Sequence, residues 1–113
     1  ADSFGGDSYN FSYYHKLDCE KLTKKWNEIL SKCTKRNETK GNHIMYERNN
    51  SKGFSTAKKD FDSLNLSHIK TSINSKGKTT YIGTGANGTT YNLHWSSTES
   101  RWCLQQGKIK IRY

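Results

Sequence analysis

The sequence predicts an α+β domain, in which N-terminal helices pack on one face of a four- to five-stranded antiparallel meander sheet. Two patterns indicate this class. Between His15 and Thr34 the apolar residues recur at steps of three and four, the period of one helix face. From Leu66 onward apolar and polar residues alternate, the period of strands with one buried face. Helices followed by a run of strands are typical of α+β domains. Residues 1–113 are enough for one domain but not for two.

Two helices are expected before the strands. The first is predicted over residues 15–34, and Ser55 is predicted to cap a second one that contains Ala57, Phe61 and Leu64. Residues 1–14 show no helical period, so we expect a loosely ordered N-terminal segment there. Residues 35–54 are polar and contain two glycines, which predicts a long loop with one short element around residues 44–47. The apolar stripe of the first helix consists of Cys19, Leu22, Trp26, Ile29, Leu30 and Cys33.

The charge of the chain indicates a partner that carries negative charge. Nineteen Lys and Arg face ten Asp and Glu, which gives a net charge of +9. Such an excess on a small domain favours nucleic acid first and acidic membranes second, although solubility alone is an alternative explanation. Three Trp, seven Tyr and four Phe favour nucleic acid, because bases stack on aromatic rings. No apolar run approaches the roughly 20 residues that a membrane span needs.

The strand alternation gathers polar and basic side chains on the second face of the sheet. Cleavage of RNA through its own 2′-OH needs a base, an acid and cations around the phosphate, but no metal ion. Histidine suits both proton transfers near neutral pH. Two histidines among several cations therefore predict metal-independent RNA cleavage, although both could be ordinary exposed strand residues. The predicted face carries His68, Lys70, Asn92, His94, Ser96, Arg101, Gln105, Lys108, Lys110 and Arg112.

Roles follow from these residue types. His94 and His68 could serve as base or acid, in either order, and Lys70, Arg101 or Arg112 could hold the phosphate. Ser96 or Ser97 would donate hydrogen bonds. His15 and His43 are expected to lie outside the sheet and receive no role. The candidate catalytic residues are thus His94, Arg101, His68, Lys70 and Ser96, and the candidate RNA-binding residues are Lys108, Lys110, Arg112 and Ser97.

Other chemistries are less well supported by the residues. Gly83, Gly85 and Gly88 have the spacing of a dinucleotide fingerprint, but a strand-like segment follows them where that motif needs a helix. Asp60 and Asp62 fall on different faces of a helix, and the Cys and His residues lack the close spacing of metal ligands. We therefore expect no cofactor and no metal.

The three cysteines are too few for a complete disulfide framework. Cys19 and Cys33 are about 21 Å apart along a helix, so they cannot pair while that helix is intact. Either one could pair with Cys103, but buried free thiols are favoured. Alternation places Cys103 beside Arg101 on the polar face, where it could form a nucleophilic pair with His94. A shift in strand register, which would put Cys103 on the other face, is the preferred interpretation of this placement.

The second half of the chain resembles the C-terminal toxin domains of bacterial polymorphic toxins. The resemblance covers about residues 53–113. It rests on the order of four short motifs: Ala57 to Leu64, a Gly-rich turn at Thr84–Gly88, a strand that leads into Ser96-Ser97, and the terminal Lys110 to Tyr113. Such domains form the effector tips of contact-dependent growth inhibition, Rhs and LXG proteins. Many relatives carry Arg before the Ser-Ser pair, where this chain has His94-Trp95, whereas Arg101 matches the basic residue of their following turn.

The resemblance implies a ribonuclease of the barnase–EndoU–colicin–RelE group. It also implies secretion or delivery into the cytoplasm of a target cell, and a cognate immunity protein, which we expect to be acidic and to cover the polar face. Apart from that inhibitor we expect a monomer that acts on RNA, possibly tRNA. Two alternatives stay open: a non-catalytic secreted module that binds nucleic acid or glycan, and an NAD-consuming toxin.

Overall fold

The first element is a long helix. The computed structural model describes residues 3–113, with side chains from residue 13 onward, and helix α1 spans Ser3–Ser31. The expectation of a loosely ordered segment over residues 1–14 is therefore wrong for the residues from Ser3 onward, and residues 1 and 2 lie outside the described part. The helix also ends before Cys33, which begins a strand instead. Leu22, Trp26 and Ile29 are buried, so the predicted apolar stripe does face the interior.

The segment predicted as a long loop forms two strands. Strand β1 spans Cys33–Lys40 and strand β2 spans His43–Arg48, and they pair as an antiparallel hairpin around Gly41, whose φ is +63°. The short element expected around residues 44–47 is the centre of β2. His43 begins this strand, so its expected position outside the sheet is wrong.

The second helix, α2, spans Phe54–Ser63. Gly53 occupies the N-cap position and no side chain caps the helix, so the predicted cap at Ser55 is wrong. Asp60 is buried and Asp62 is exposed, which confirms that the two carboxylates lie on different faces.

Five further strands follow, close to the predicted positions. They are β3 over Ser67–Ile73, β4 over Thr79–Thr84, β5 over Thr90–Ser96, β6 over Arg101–Gln106 and β7 over Ile109–Arg112. Each is paired antiparallel with the next. The glycine-rich segment thus forms the β4–β5 hairpin turn, and a strand follows it as expected. A Cβ atom at Gly85 would lie 2.6 Å from Leu22 Cδ2, so the close approach of α1 requires glycine there.

The sheet has seven strands in the order β1-β2-β7-β6-β5-β4-β3. The α+β class is confirmed, but the prediction of a purely antiparallel meander of four to five strands is wrong. The last strand lies between β2 and β6, and its pairing with β2 is parallel, with Ile44 opposite Ile109 and Glu47 opposite Arg112. Hydrophobic alternation could not reveal this pairing, because it joins segments that are far apart in the chain.

Side chains of both helices and of the central strands share one buried cluster. Tyr91, Leu93, Leu104 and Ile111 project from the same face of β5, β6 and β7, since they pair directly or alternate by two. The other members of the cluster are Leu22, Trp26, Ile29, Ala57, Phe61, Leu64 and Tyr113. The opposite face of the same strands carries Asn92, His94, Lys110 and Arg112, and we call it the polar face.

Tyr113 ties the end of β7 to α2. Its hydroxyl donates a hydrogen bond of 2.7 Å to Asp60 Oδ2, and Arg48 Nε donates one of 2.9 Å to the same oxygen. Asp60 is only 7% exposed, so these donors replace the water that its carboxylate has lost. Burial, together with the charge of Asp60, strongly raises the pKa of Tyr113, which therefore stays a neutral donor.

Substitution Tyr113→Phe removes this donor and leaves the Asp60 carboxylate with one partner fewer. We expect a loss of about 1–3 kcal/mol in the free energy of unfolding, because a buried charged acceptor loses a hydrogen bond. Urea denaturation measures this loss. Tyr46→Phe is the matched control, since Tyr46 also packs on the core but has no side-chain hydrogen bond within the described chain. Equal stability of the two variants would contradict the argument.

Candidate functional site

One row of side chains crosses the middle of the polar face. His94 pairs with Cys103, Cys103 with Arg112, and Arg112 with Glu47. These pairings cross β5, β6, β7 and β2, so the four side chains project from the same face at the same level. The next row contains Asn92, Gln105 and Lys110, and it places a second cation beside the first.

Asn92 orients the ring of His94. Its Nδ1 lies 2.6 Å from Asn92 Oδ1, and in the tautomer with the proton on Nδ1 the ring donates a hydrogen bond to that oxygen. The Nε2 lone pair is therefore free of this bond. Burial lowers the pKa of the half-buried imidazole, and the charges of Lys110 and Arg112 lower it further. A neutral ring with a lone pair at Nε2 is the state that a general base requires.

Arg112 is a buried cation with spare donors. Its side chain is 6% exposed, and neither Nε nor Nη1 has a hydrogen-bond acceptor among the described residues. Nε lies 3.3 Å from Glu99 Oε2, which is an ion pair without the geometry of a hydrogen bond. Unsatisfied buried donors on a charged group are costly, and both nitrogens are closed to solvent, so an anion reaches them only if neighbouring side chains move.

An ion-pair network closes one end of the polar face. Glu47 binds Arg36 of β1, and its other oxygen lies 2.6 Å from Arg101 Nη1 of β6. Glu99, in the β5–β6 turn, binds Arg36 at 2.6 Å and Lys40 at 2.8 Å. Two strands, at spacings of about 4.8 Å, lie between β1 and β6, so the long arginine and glutamate side chains bridge across them.

Both carboxylates of the network are ionised. Burial alone would raise the pKa of Glu47, but hydrogen bonds from Arg36 and Arg101 outweigh it and lower that pKa. The hydrogen bonds from Arg36 hold the pKa of Glu99 far below its usual range, and Lys40 and Arg112 add to this effect. Even so, the two carboxylates contact four cations, Arg36, Lys40, Arg101 and Arg112, and Lys110 lies one row away on the same face. The polar face keeps an excess of positive charge that favours anionic ligands.

The predicted site residues separate into two groups. His94, Arg101, Lys110 and Arg112 lie together on the polar face, as expected. Arg101 is not free, because Glu47 binds it and its Nε donates a 3.0 Å hydrogen bond to Tyr113 O.

Ser96 shares the polar face, but it is only 8% exposed, and its Oγ accepts a 3.4 Å hydrogen bond from the Glu99 backbone. The neighbouring Ser97 is exposed in the turn that follows. Through this burial and this hydrogen bond, Ser96 stabilises the β5–β6 turn.

The remaining candidates are not brought to His94. Lys70 is on the polar face but is exposed on the edge strand β3, two strands away. His68 lies at an irregularity of β3 with φ +51°, beside Ser67 Oγ. It is displaced from His94 by two strands and by roughly 13 Å along them. Lys108 is exposed in the β6–β7 turn.

The sequence analysis missed the half of the site that comes from β1 and β2. Arg36, Lys40 and Glu47 fell in the predicted loop, and Glu99 received no role. The alternation of residues in β2 was the sequence signal that could have revealed this strand and the position of Glu47. Met45 and Glu47 share one face of the strand, and Ile44 and Tyr46 share the other.

All three cysteines are free thiols. Cys103 is fully buried on the polar face directly opposite His94, whereas Cys33 packs against the core on the other side of the sheet. Alternation thus placed Cys103 correctly, and no slip of the strand occurs. Burial raises the pKa of the Cys103 thiol despite the charge of Arg112, which opposes a nucleophilic role for the sulfur.

Within the part of the chain whose side chains are described, no three His, Cys, Asp or Glu residues come close enough together to hold a metal ion. Among the described helices, none is both long enough and apolar enough to span a bilayer. Comparisons with known protein families, with curated proteins and with solved structures find no match.

The Glu99 network makes the stability of the fold depend on pH. The pKa of Glu99 is lower in the folded chain than in the unfolded one, so its stabilising contribution is complete above the unfolded value and is lost as the pH falls below it. We expect the free energy of unfolding to decrease below about pH 5, and Glu99→Gln to lower it at pH 7 and flatten its acid dependence.

Urea denaturation at a series of pH values tests this expectation. Glu38→Gln is the control, because Glu38 is 64% exposed and lies 3.7 Å from the same Arg36. A Glu99→Gln protein that keeps the wild-type dependence on pH would show that the network does not stabilise the fold.

Proposed function

We propose that this domain is a ribonuclease that cleaves RNA through its 2′-OH, on the polar face around His94. The observation that carries the proposal is the proximity of two features: a half-buried imidazole that Asn92 orients and whose pKa is lowered, and the positive charge of Lys110 and Arg112 beside it. One is what deprotonation of a hydroxyl needs, and the other is what a phosphate oxygen needs.

The proposed reaction assigns each group a step. His94 Nε2 accepts the proton of the 2′-OH, and the oxygen then attacks the adjacent phosphorus. The P–O5′ bond breaks, which leaves a 2′,3′-cyclic phosphate and a 5′-hydroxyl end. The positive charge of the buried Arg112 stabilises the charge that builds on the phosphate oxygens through its field, and the Lys110 ammonium, from the next row of the same face, gives a proton to the departing oxygen. The nucleophile belongs to the substrate, so the reaction needs no metal ion.

The setting we propose is that of a delivered bacterial toxin, as the resemblance to polymorphic toxin domains implies. An acidic immunity protein would then bind the polar face, because the excess of positive charge there accelerates capture of a complementary partner. A non-catalytic nucleic-acid-binding module is the second candidate function, and the net charge of +9 supports it equally. Cleavage itself separates the two.

The purified domain should cut RNA in the presence of EDTA, and His94→Ala should reduce the rate on the order of 10²–10⁴-fold while RNA affinity changes little. His68→Ala is the matched control and should keep the wild-type rate, because His68 is remote from Arg112. Cleavage is followed on gels, and binding by anisotropy with a substrate whose 2′-OH groups are blocked. Activity that requires one specific metal, or a fully active His94→Ala enzyme, would overturn the proposal.

The rate should also depend on pH in a defined direction. His94 acts in its neutral form, so kcat/KM should fall as the pH drops through its lowered pKa. Lys110→Gln removes a positive charge beside the ring, which raises the pKa of His94 and moves this acid limb to higher pH. The plateau should fall as well, since Lys110 serves the leaving group.

Lys108→Gln removes the same charge from an exposed position two residues away and should leave the acid limb in place. The pH profiles of kcat/KM are compared for the wild type, Lys110→Gln and Lys108→Gln, and they show whether the acid limb responds to the charge of Lys110 in particular. An acid limb that moves equally in both variants would indicate a general effect of net charge rather than contact with His94.

A further inference from the structure

A cluster of four aromatic side chains lies on the face of the sheet opposite His94. Trp95 and Trp102 are cross-strand partners with ring centroids 5.6 Å apart. Phe54 lies at the start of α2, and its ring centroid is 4.8 Å from that of Trp102 and 6.1 Å from that of Tyr81. All four rings are partly accessible, and Phe54 is 37% exposed. We call Phe54, Tyr81, Trp95 and Trp102 the aromatic surface.

Lysines cover this surface. The ammonium of Lys78 lies 4.6 Å from the Trp95 ring and 5.9 Å from the Trp102 ring, and that of Lys58 lies 5.3 Å from Tyr81. A cleft of about 290 Å³ opens between the β3–β4 turn and Phe54, and Lys78, Tyr81 and Trp102 line it. Lys78 extends from that turn, so its side chain can leave the rings without any change in the sheet.

We propose that the aromatic surface binds single-stranded nucleic acid, with a base stacked on Trp95 or Trp102 and Lys78 paired with a neighbouring phosphate. Aromatic rings flanked by cations are the general means of binding single strands without sequence preference. A partly exposed cation over a ring, as Lys78 is, is weakly held, so a base can take its place while the lysine gains a phosphate partner. The net charge of +9 favours this polyanion over an uncharged ligand.

The position of the surface connects it with the polar face. Trp95 lies between His94 and Ser96 in β5, and Trp102 lies between Arg101 and Cys103 in β6, so the two sites use opposite faces of the same strands. A single strand that passes around the β5–β6 turn would reach both faces. This connection rests on the proposed function, whereas binding at the aromatic surface does not.

The test uses a short single-stranded DNA oligonucleotide, which lacks the 2′-OH and cannot undergo the proposed reaction. Binding should quench tryptophan fluorescence, because two of the three tryptophans belong to the aromatic surface and Trp26 is buried in the core. Trp95→Leu should weaken binding about tenfold, since one stacked base is lost. Lys78→Ala should weaken it severalfold and reduce its dependence on salt.

Lys76→Ala is the matched control, because Lys76 is exposed in the same turn and carries the same charge away from the rings. It should change the affinity much less than Lys78→Ala does. Unquenched fluorescence on saturation of the wild type, or equal affinities of Trp95→Leu and wild type, would overturn the proposal without reliance on any variant that fails to fold. Tighter binding of polyglutamate than of the oligonucleotide, lost in Trp95→Leu, would also overturn it and indicate an acidic protein partner.

The two proposals can fail separately. His94→Ala should bind the oligonucleotide as the wild type does, because the imidazole is on the other face of the sheet. Oligonucleotide binding without RNA cleavage would remove the proposed reaction and leave the aromatic surface. If RNA is cleaved but neither Trp95→Leu nor Lys78→Ala changes oligonucleotide binding, the proposed reaction stands and binding at the aromatic surface is ruled out.

Discussion

The insertion of β7 between β2 and β6 is the constraint on which the rest of the structure depends. Its four residues pair with β2 on one side and β6 on the other, so they join the β1–β2 hairpin to the meander. Alternation then sends Ile109 and Ile111 toward the core and Lys110 and Arg112 to the polar face. Without this strand the carboxylate of Glu47 and the ring of His94 would belong to two unconnected sheets.

Two requirements oppose each other on the polar face: the buried charge of Arg112 needs ion-pair partners, and an anionic ligand needs positive charge that is not already paired. A buried Arg112 is costly, and Glu99 and Glu47 offset part of that cost by pairing with the arginines around it. Complete pairing would leave no positive charge for the anionic ligand that we propose. The structure leaves two buried donors of Arg112 unpartnered within the described chain, and burial together with the charges of Lys110 and Arg112 lowers the pKa of His94. Local conflicts of this kind concentrate at functional sites.

The positively charged side chains have different surroundings on the two faces of the sheet. On the polar face they are largely buried and held in ion pairs. On the aromatic surface the ammonium of Lys78 lies over partly exposed rings and can exchange them for another partner. A domain of this size, with little hydrophobic material, thus carries cations on both faces of β5 and β6.

The sequence by itself determined the class, the stripe of α1 and the meander from β3 to β7, because those patterns depend on the local period of the backbone. It also placed His94, Lys110 and Arg112 on one face, since alternation within a strand fixes the side of each residue. It could not find β1, whose residues from Thr34 to Lys40 are all polar and give no apolar alternation. Only the tertiary structure decided that Glu47 and Arg36 join Arg101 and Arg112, because the parallel pairing of β2 with β7 joins residues more than sixty positions apart, and no local pattern encodes such a contact.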